Sequence, residues 1–185
     1  MNKENFRVYL RAFEPDDYKT TIKWRKDDEI WNMVGGPKYF VSTEYEKKWI
    51  EDAIWSKDQI KLGICLKETN ELIGFGSIIN INWINRSAQC PSMIGEKKYW
   101  GKGLGTESRI LLLDFAFKER GFNRIWALIL ESNIGSIKMC ERCGYNKEGL
   151  LRQSVYKNGK FQNQIIMSIL CNEFYEMLKE NIFNI

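Results

Sequence analysis

The stretch Tyr99-Trp100-Gly101-Lys102-Gly103-Leu104-Gly105-Thr106-Glu107 decides how this chain is read. Three glycines at alternate positions let the backbone turn so that successive N–H groups point into one concavity. From Glu107 to Glu119, residues Ile110, Leu111, Leu113, Asp114, Phe115 and Phe117 fall at mostly helical spacing, and Gly121 ends the run. The loop therefore opens a helix, whose positive N-terminus adds to the same concavity and suits a pyrophosphate. Taken alone, G-x-G-x-G is better explained as a strand-to-helix turn that needs glycine for tightness. A Walker loop is excluded because no G-K-[ST] follows at the right spacing, and a dinucleotide-binding unit does not fit because antiparallel strands precede the glycines.

Working outward, Phe6 to Phe13 alternates as a strand, and Glu14-Pro15-Asp16-Asp17 starts a helix with proline early and carboxylates facing the positive end of the dipole. The segment through Trp24 and Trp31 reads as helical until Gly35-Gly36-Pro37. Thr43-Glu44-Tyr45-Glu46 reads as a capping box opening a second helix. Ile60 to Leu66, Leu72 to Trp83 and Ser87 to Ile94 form an antiparallel meander before the glycine loop. Beyond the loop helix, Ile125 to Leu130 is an apolar strand and Asn133 to Cys143 a short helix closed by Gly144. Leu150 to Tyr156 and Phe161 to Leu170 form a hairpin around Lys157-Asn158-Gly159-Lys160, and Asn172 to Ile185 reads as a helix packed on the surface. The fold class is α/β with a mixed sheet, in one domain over 1–185.

Composition agrees with a compact, soluble domain: 185 residues, 44% hydrophobic and 14% aromatic. The 28 basic and 24 acidic residues leave +4, too mild and too mixed to argue for nucleic acid. No apolar run approaches the ~18 residues of a membrane span, and no signal peptide is visible, so a cytoplasmic chain with reduced thiols is expected. Histidine is absent, which removes the commonest general base and every Ser-His or Cys-His dyad. The pair Cys140 and Cys143 forms a C-x-x-C, but it lies in the last turns of a helix, where the dipole raises thiol pKa, and redox pairs use the opposite end. Zinc would need two more ligands, and the other thiols (Cys65, Cys90, Cys171) are scattered, so no metal is expected.

Further signals follow the glycine loop in order: N-x-x-S-x-x-x-C-E-x-x-G-Y from Asn133 to Tyr145, then Glu148-Gly149, then Asn158-Gly159-Lys160-Phe161 in the hairpin. Together, over roughly Arg7 to Leu170, they resemble the GNAT superfamily of acetyl-CoA-dependent N-acetyltransferases. The likeness is strongest to the branch of ribosomal-protein N-terminal and bacterial spermidine acetyltransferases. The resemblance implies a mostly antiparallel central sheet, splayed at one parallel strand pair and flanked by helices. Acetyl-CoA, the co-substrate, would enter the opening between the strand near Ser87 to Ile94 and the strand Ile125 to Leu130. Its pantetheine arm would bond to the backbone around Met93 and Ile94, and its pyrophosphate would sit on Trp100, Gly101, Lys102, Gly103, Leu104, Gly105 and Thr106. Asn133 matches the family's arm-contacting asparagine while also suiting a helix N-cap, and Lys138 is placed to approach the phosphates or to stand in solvent.

Two positions depart from the family pattern. Cys140 stands where a tyrosine often protonates the departing CoA thiolate; it is a candidate general acid or a small buried packing residue. Gln89 stands where some relatives carry a glutamate base, and an amide cannot accept that proton. The expected reaction is direct attack of a primary amine on the thioester in a ternary complex. Acceptor classes are a polyamine, an amino sugar or a protein N-terminus, held by the first helices and the loop from Asn82 to Arg86. The carboxylates Asp27, Asp28, Glu29, Glu44 and Glu46 suit either a polyamine or plain solvent. Trp24, Trp31 and Trp49 are read as core rather than pocket. A homodimer is compatible with this reading. The missing tyrosine and glutamate leave a non-catalytic acyl-CoA-binding sensor or interaction module as the alternative.

Overall fold

The computed structural model describes residues 3–36 and 38–180. Strand β1 (Val8–Ala12) leads through a 3-10 turn into α1 (Tyr18–Arg25), α2 (Asp28–Met33) and α3 (Thr43–Trp55). The single helix expected through Trp24 and Trp31 breaks at Asp27, an extended residue whose carboxylate accepts from the N–H groups of Glu29 and Ile30 and starts α2 afresh. The capping box before α3 is also corrected. Ser42, not Thr43, caps the helix by accepting from the Tyr45 N–H, and Glu46 is buried 3.1 Å from the Arg25 guanidinium. Three helices, rather than two, precede the meander.

The meander is β2 (Ile60–Leu66), β3 (Leu72–Asn82), β4 (Ser87–Gln89) and β5 (Ser92–Ile94). The strand expected over Ser87 to Ile94 is split at Cys90-Pro91, where proline has no N–H to continue a ladder. Helix α4 (Leu104–Asp114) runs on through a wide π turn at Phe115–Glu119. Then come β6 (Arg124–Leu130), α5 (Ile134–Arg142), β7 (Asn146–Lys157), β8 (Lys160–Leu170) and α6 (Cys171–Lys179). The expected C-terminal helix is present to Lys179, and 181–185 lie outside the described residues.

The strands form one sheet in the order β1-β2-β3-β4-β6-β8-β7, with β5 paired to β3 beside that path. All pairings are antiparallel except β4 with β6, which is parallel over Ser87↔Arg124, Ala88↔Ile125 and Gln89↔Trp126. Strand alternation sends successive side chains to opposite faces, and the sheet packs helices on both, while β7 at its edge is mostly exposed. On one face Phe13, Trp24, Ile30, Ile50 and Ala53 join Cys65 and Leu72 under α1–α3. On the other, Val8, Ile64, Ile73 and Ile125 pack under Leu104, Ile110 and Leu113 of α4 and Phe174 of α6. Among the described residues no helix is long and apolar enough to cross a membrane, and no group of three His, Cys, Asp or Glu gathers as a metal site.

Candidate active site

The parallel ladder between β4 and β6 ends almost as soon as it begins. Its last rung is the Cys90 N–H donating to the Trp126 carbonyl at 3.1 Å; beyond it β5 follows β3 and leaves β6. The strands thus open into a V, and a cavity of about 660 Å³ occupies the opening. Register decides which backbone groups face it. Ser77 N–H donates to Pro91 O and Gly95 N–H to Ile73 O, so the intervening Met93↔Phe75 is a hydrogen-bonded pair turned toward β3. Ser92 and Ile94 therefore turn their N–H and C=O groups toward the gap, and Leu128 of β6 faces them from the other side. This corrects the expectation for Met93, whose backbone belongs to the β3 ladder although the residue lines the cavity. Ile94 turns toward the gap, where its carbonyl accepts from the Trp100 indole.

The glycine loop closes the wide end of the V. Trp100 anchors it, its indole N–H donating to the Ile94 carbonyl at 2.7 Å. Gly101 and Gly103 have φ of 73° and 84°, a left-handed backbone that side-chain-bearing residues rarely adopt. Gly103 is the N-cap of α4 and offers no side chain to cap it, so the first N–H groups of the helix are left for a ligand. Gly105 is in the first helical turn, and a Cβ there would meet nothing nearer than Ile94 Cγ1 at 3.8 Å. The loop is braced from behind. Glu107 accepts from the backbone N–H and Nε of Arg7, both at 2.7 Å, while Arg7 Nη2 donates to the Lys102 carbonyl at 2.8 Å. Trp100, Gly101, Gly103, Gly105 and Thr106 line the cavity; Lys102 and Leu104 do not, Leu104 being buried beneath the loop.

Helix α5 forms the far wall. Asn133 is its N-cap, accepting from Ser136 N–H at 3.0 Å, and its Nδ2 donates to the Met33 carbonyl at 2.8 Å, tying α5 to the end of α2. Lys138 is exposed and lines the cavity, as does Arg142 one turn on. Cys140 does not line it. It is 0% exposed within the core cluster, and burial raises its thiol above the ordinary range, so the general-acid expectation gives way to packing. Cys143 is buried as well, its thiol pushed up to about 12 by burial.

Other expectations shift with the geometry. The loop from Asn82 to Arg86 does not line the cavity: Trp83 stacks on Phe122 and Arg86 reaches the Gly121 carbonyl. Ile30, Met33, Val34 and Gly35 at the end of α2 do line it. Trp24, Trp31 and Trp49 stay in the core, as read. The acidic residues of the first helices each face a cation of the chain: Asp27 and Glu29 meet Lys97, Asp28 meets Lys38, Glu44 meets Lys47 and Glu46 meets Arg25. Gln89 lines the cavity, and its Oε1 accepts from Asn80. No carboxylate is among the described lining residues, whereas Arg109, Lys138 and Arg142 are. Sequence reasoning passed over Arg109, a charge inside a run of apolar helix residues, and over the Arg7–Glu107 brace, whose partners are 100 positions apart.

A family described as Acetyltransferase (GNAT) domain matches residues 7–146. The chain is 28% identical over 177 residues to the probable N-acetyltransferase YjcK of Bacillus subtilis, covering 88% of this chain and 93% of that one. It is 26% identical over 170 residues to the spermidine N(1)-acetyltransferase of Escherichia coli, covering 90% and 88%. A crystal structure of the Vibrio cholerae spermidine N-acetyltransferase in complex with CoA and spermine superposes with a TM-score of 0.84 at 24% identity, over 91% of this chain and 98% of that one. With the opened parallel pair and the glycine loop on the same cavity, the match over residues 7–146 shows that this chain belongs to the acetyltransferase (GNAT) domain family and is an N-acetyltransferase.

Proposed function

We propose that the chain transfers the acetyl group of acetyl-CoA to a primary amine by direct attack in a ternary complex. The observation that carries this reading is the coincidence, on one cavity wall, of the uncapped α4 N-terminus and the unpaired strand edges of the V. The loop N–H groups and the helix dipole suit a pyrophosphate, with Lys138 and Arg142 supplying positive charge nearby. The pantetheine amides take the place of the missing ladder between Ser92, Ile94 and Leu128, as an added strand would. Asn133 contacts the arm once its amide is exchanged from the Met33 carbonyl. The amine enters at the α2 end of the cavity, loses its proton to water and attacks the thioester carbon. Alignment of the two reactants supplies most of the acceleration, which suits a site without a carboxylate or imidazole base.

The test is binding followed by turnover. Acetyl-CoA is expected to bind the wild type in calorimetry, and free CoA thiol to appear when a panel of amines is added. A Cβ at Gly105 meets only Ile94 Cγ1, at 3.8 Å, so Gly105→Val should weaken acetyl-CoA by roughly tenfold or more, about 1.4 kcal/mol, with the fold intact. Unchanged affinity in Gly105→Val would remove the loop from the binding site. Binding without thiol release for any amine would favour an acyl-CoA sensor instead.

A further inference from the structure

Arg109 stands at the apex of the V, and among the described residues no carboxylate forms an ion pair with it. It lies on α4, is 2% exposed and lines the cavity. Its Nη1 donates to the Cys90 carbonyl and lies 3.4 Å from the Tyr145 hydroxyl, and its Nε has no hydrogen-bond partner. The ladder explains why this position matters. After Trp126, the next parallel rung would carry the Leu128 N–H to the Cys90 carbonyl. The Arg109 guanidinium takes that carbonyl instead, at the place where the strands part.

The groups around Arg109 do not neutralise it. Cys90 and Cys143 have thiols pushed up to about 12 by burial, Cys140 is raised by burial, and the buried Tyr145 hydroxyl stands well above its ordinary value. All four are uncharged at neutral pH, so a buried cation faces only neutral dipoles, an arrangement folds avoid unless an anion visits. No thiol lines the cavity among the described residues, and its hydroxyls besides Tyr99 are those of serine and threonine. Cys140 and Tyr145 are not on the wall, and Tyr99, which is, belongs to the loop end and gives its hydroxyl proton to Glu71 at 2.7 Å.

We propose that Arg109 is a catalytic residue that holds the negative charge of the departing CoA thiolate at the apex of the V. The inference rests on the acetyl-transfer reading above. The amine nitrogen forms its bond to the acetyl carbon, the C–S bond breaks, and sulfur leaves with the electron pair. Arg109 transfers no proton: it pairs with the thiolate, and the proton lost by the amine goes to water. A fixed, desolvated cation aimed at developing charge needs no reorganisation during the step.

Two substitutions and one titration test this. Arg109→Met keeps length and removes charge; it is expected to lower kcat by roughly 10²–10³-fold while acetyl-CoA affinity measured by calorimetry changes by less than about threefold. Arg109→Lys should recover part of the rate. In the wild type alone, the thiol of bound CoA, followed by the ultraviolet absorbance of its thiolate, should titrate below that of free CoA, whereas burial without a cation would move it above. A bound thiol that titrates at or above the free value overturns the proposal, even if Arg109→Met does not fold. A wild type that turns over alongside an equally fast Arg109→Met overturns the role of Arg109 and leaves acetyl transfer standing. A wild type that binds no acetyl-CoA overturns both.

Discussion

At the scale of single residues, Cys140 and Arg109 show what a motif carries and what it omits. The spacing N-x-x-S-x-x-x-C places Cys140 on α5 correctly, but position on a helix does not say which way a side chain points. The structure turns the thiol inward, at 0% exposure, beside Arg109 and Cys143. Cys140→Ala should therefore cost roughly 0.5–3 kcal/mol of stability by leaving a small cavity, with kcat within about twofold of wild type, as a buried packing position implies. Parallel denaturation and steady-state rates check this, and a large rate loss at unchanged stability would return Cys140 to the chemistry. Arg109 was illegible for the converse reason. From Ser108 to Asp114 the helix is buried at every position, so no polar face marks where a charge would reach solvent. Its meaning comes from Cys90, whose carbonyl is reached only after the sheet is folded.

At the scale of elements, the sequence shows the strands well and the first helices less well. Ile60–Leu66 is recovered residue for residue because turn residues bound an apolar run on both sides. The break between α1 and α2 was missed because Lys26-Asp27-Asp28 carries no glycine or proline, and an aspartate among neighbouring charges does not announce a cap. Likewise the split of the fourth strand depends on Pro91, whose effect is visible only once β3 and β6 compete for the same segment. Asp27 holds the α2 start through two N–H groups and pairs with Lys97 at 2.7 Å; Lys97, and then the backbone donors, hold its carboxyl below the ordinary range. Asp27→Ala is expected to cost about 0.5–2 kcal/mol near neutral pH through the lost cap. A carboxyl with a depressed folded pKa contributes stability above its unfolded value of about 3.9 and loses it as pH falls through the folded value. The stability gap between wild type and Asp27→Ala should therefore be full at neutral pH and close as pH falls below about 4, readable in denaturant midpoints measured across pH. Because Met33, Val34 and Gly35 at the end of α2 line the cavity where the amine is proposed to enter, the same substitution should raise the KM of the amine more than that of acetyl-CoA.

At the scale of the whole molecule, charge is arranged so that the protein's own bases stay away from the reaction. There is no histidine in the chain, no carboxylate among the described cavity-lining residues, and the acids of α2 and α3 face Lys97, Lys38, Lys47 and Arg25. Composition made the first point legible; the second required the fold, since only pairing across elements shows that the acidic helix face is already answered. Two consequences follow for the acceptor. Among the described lining residues there is no carboxylate to answer a second ammonium group, so spermidine should be a poorer acceptor than a monoamine of similar nucleophilicity. With water as proton acceptor, the form of the substrate that binds and reacts is the neutral amine, so kcat/KM should rise with pH and level off at the amine's own pKa. Two acceptors whose amines differ by about two pKa units should shift that limb by the same amount, because no protein group sets it. The measurement is kcat/KM against pH for both amines with acetyl-CoA saturating. A limb fixed at one pH for both acceptors would identify a protein base after all, and would direct the search to the α2 end of the cavity, which Met33, Val34 and Gly35 line.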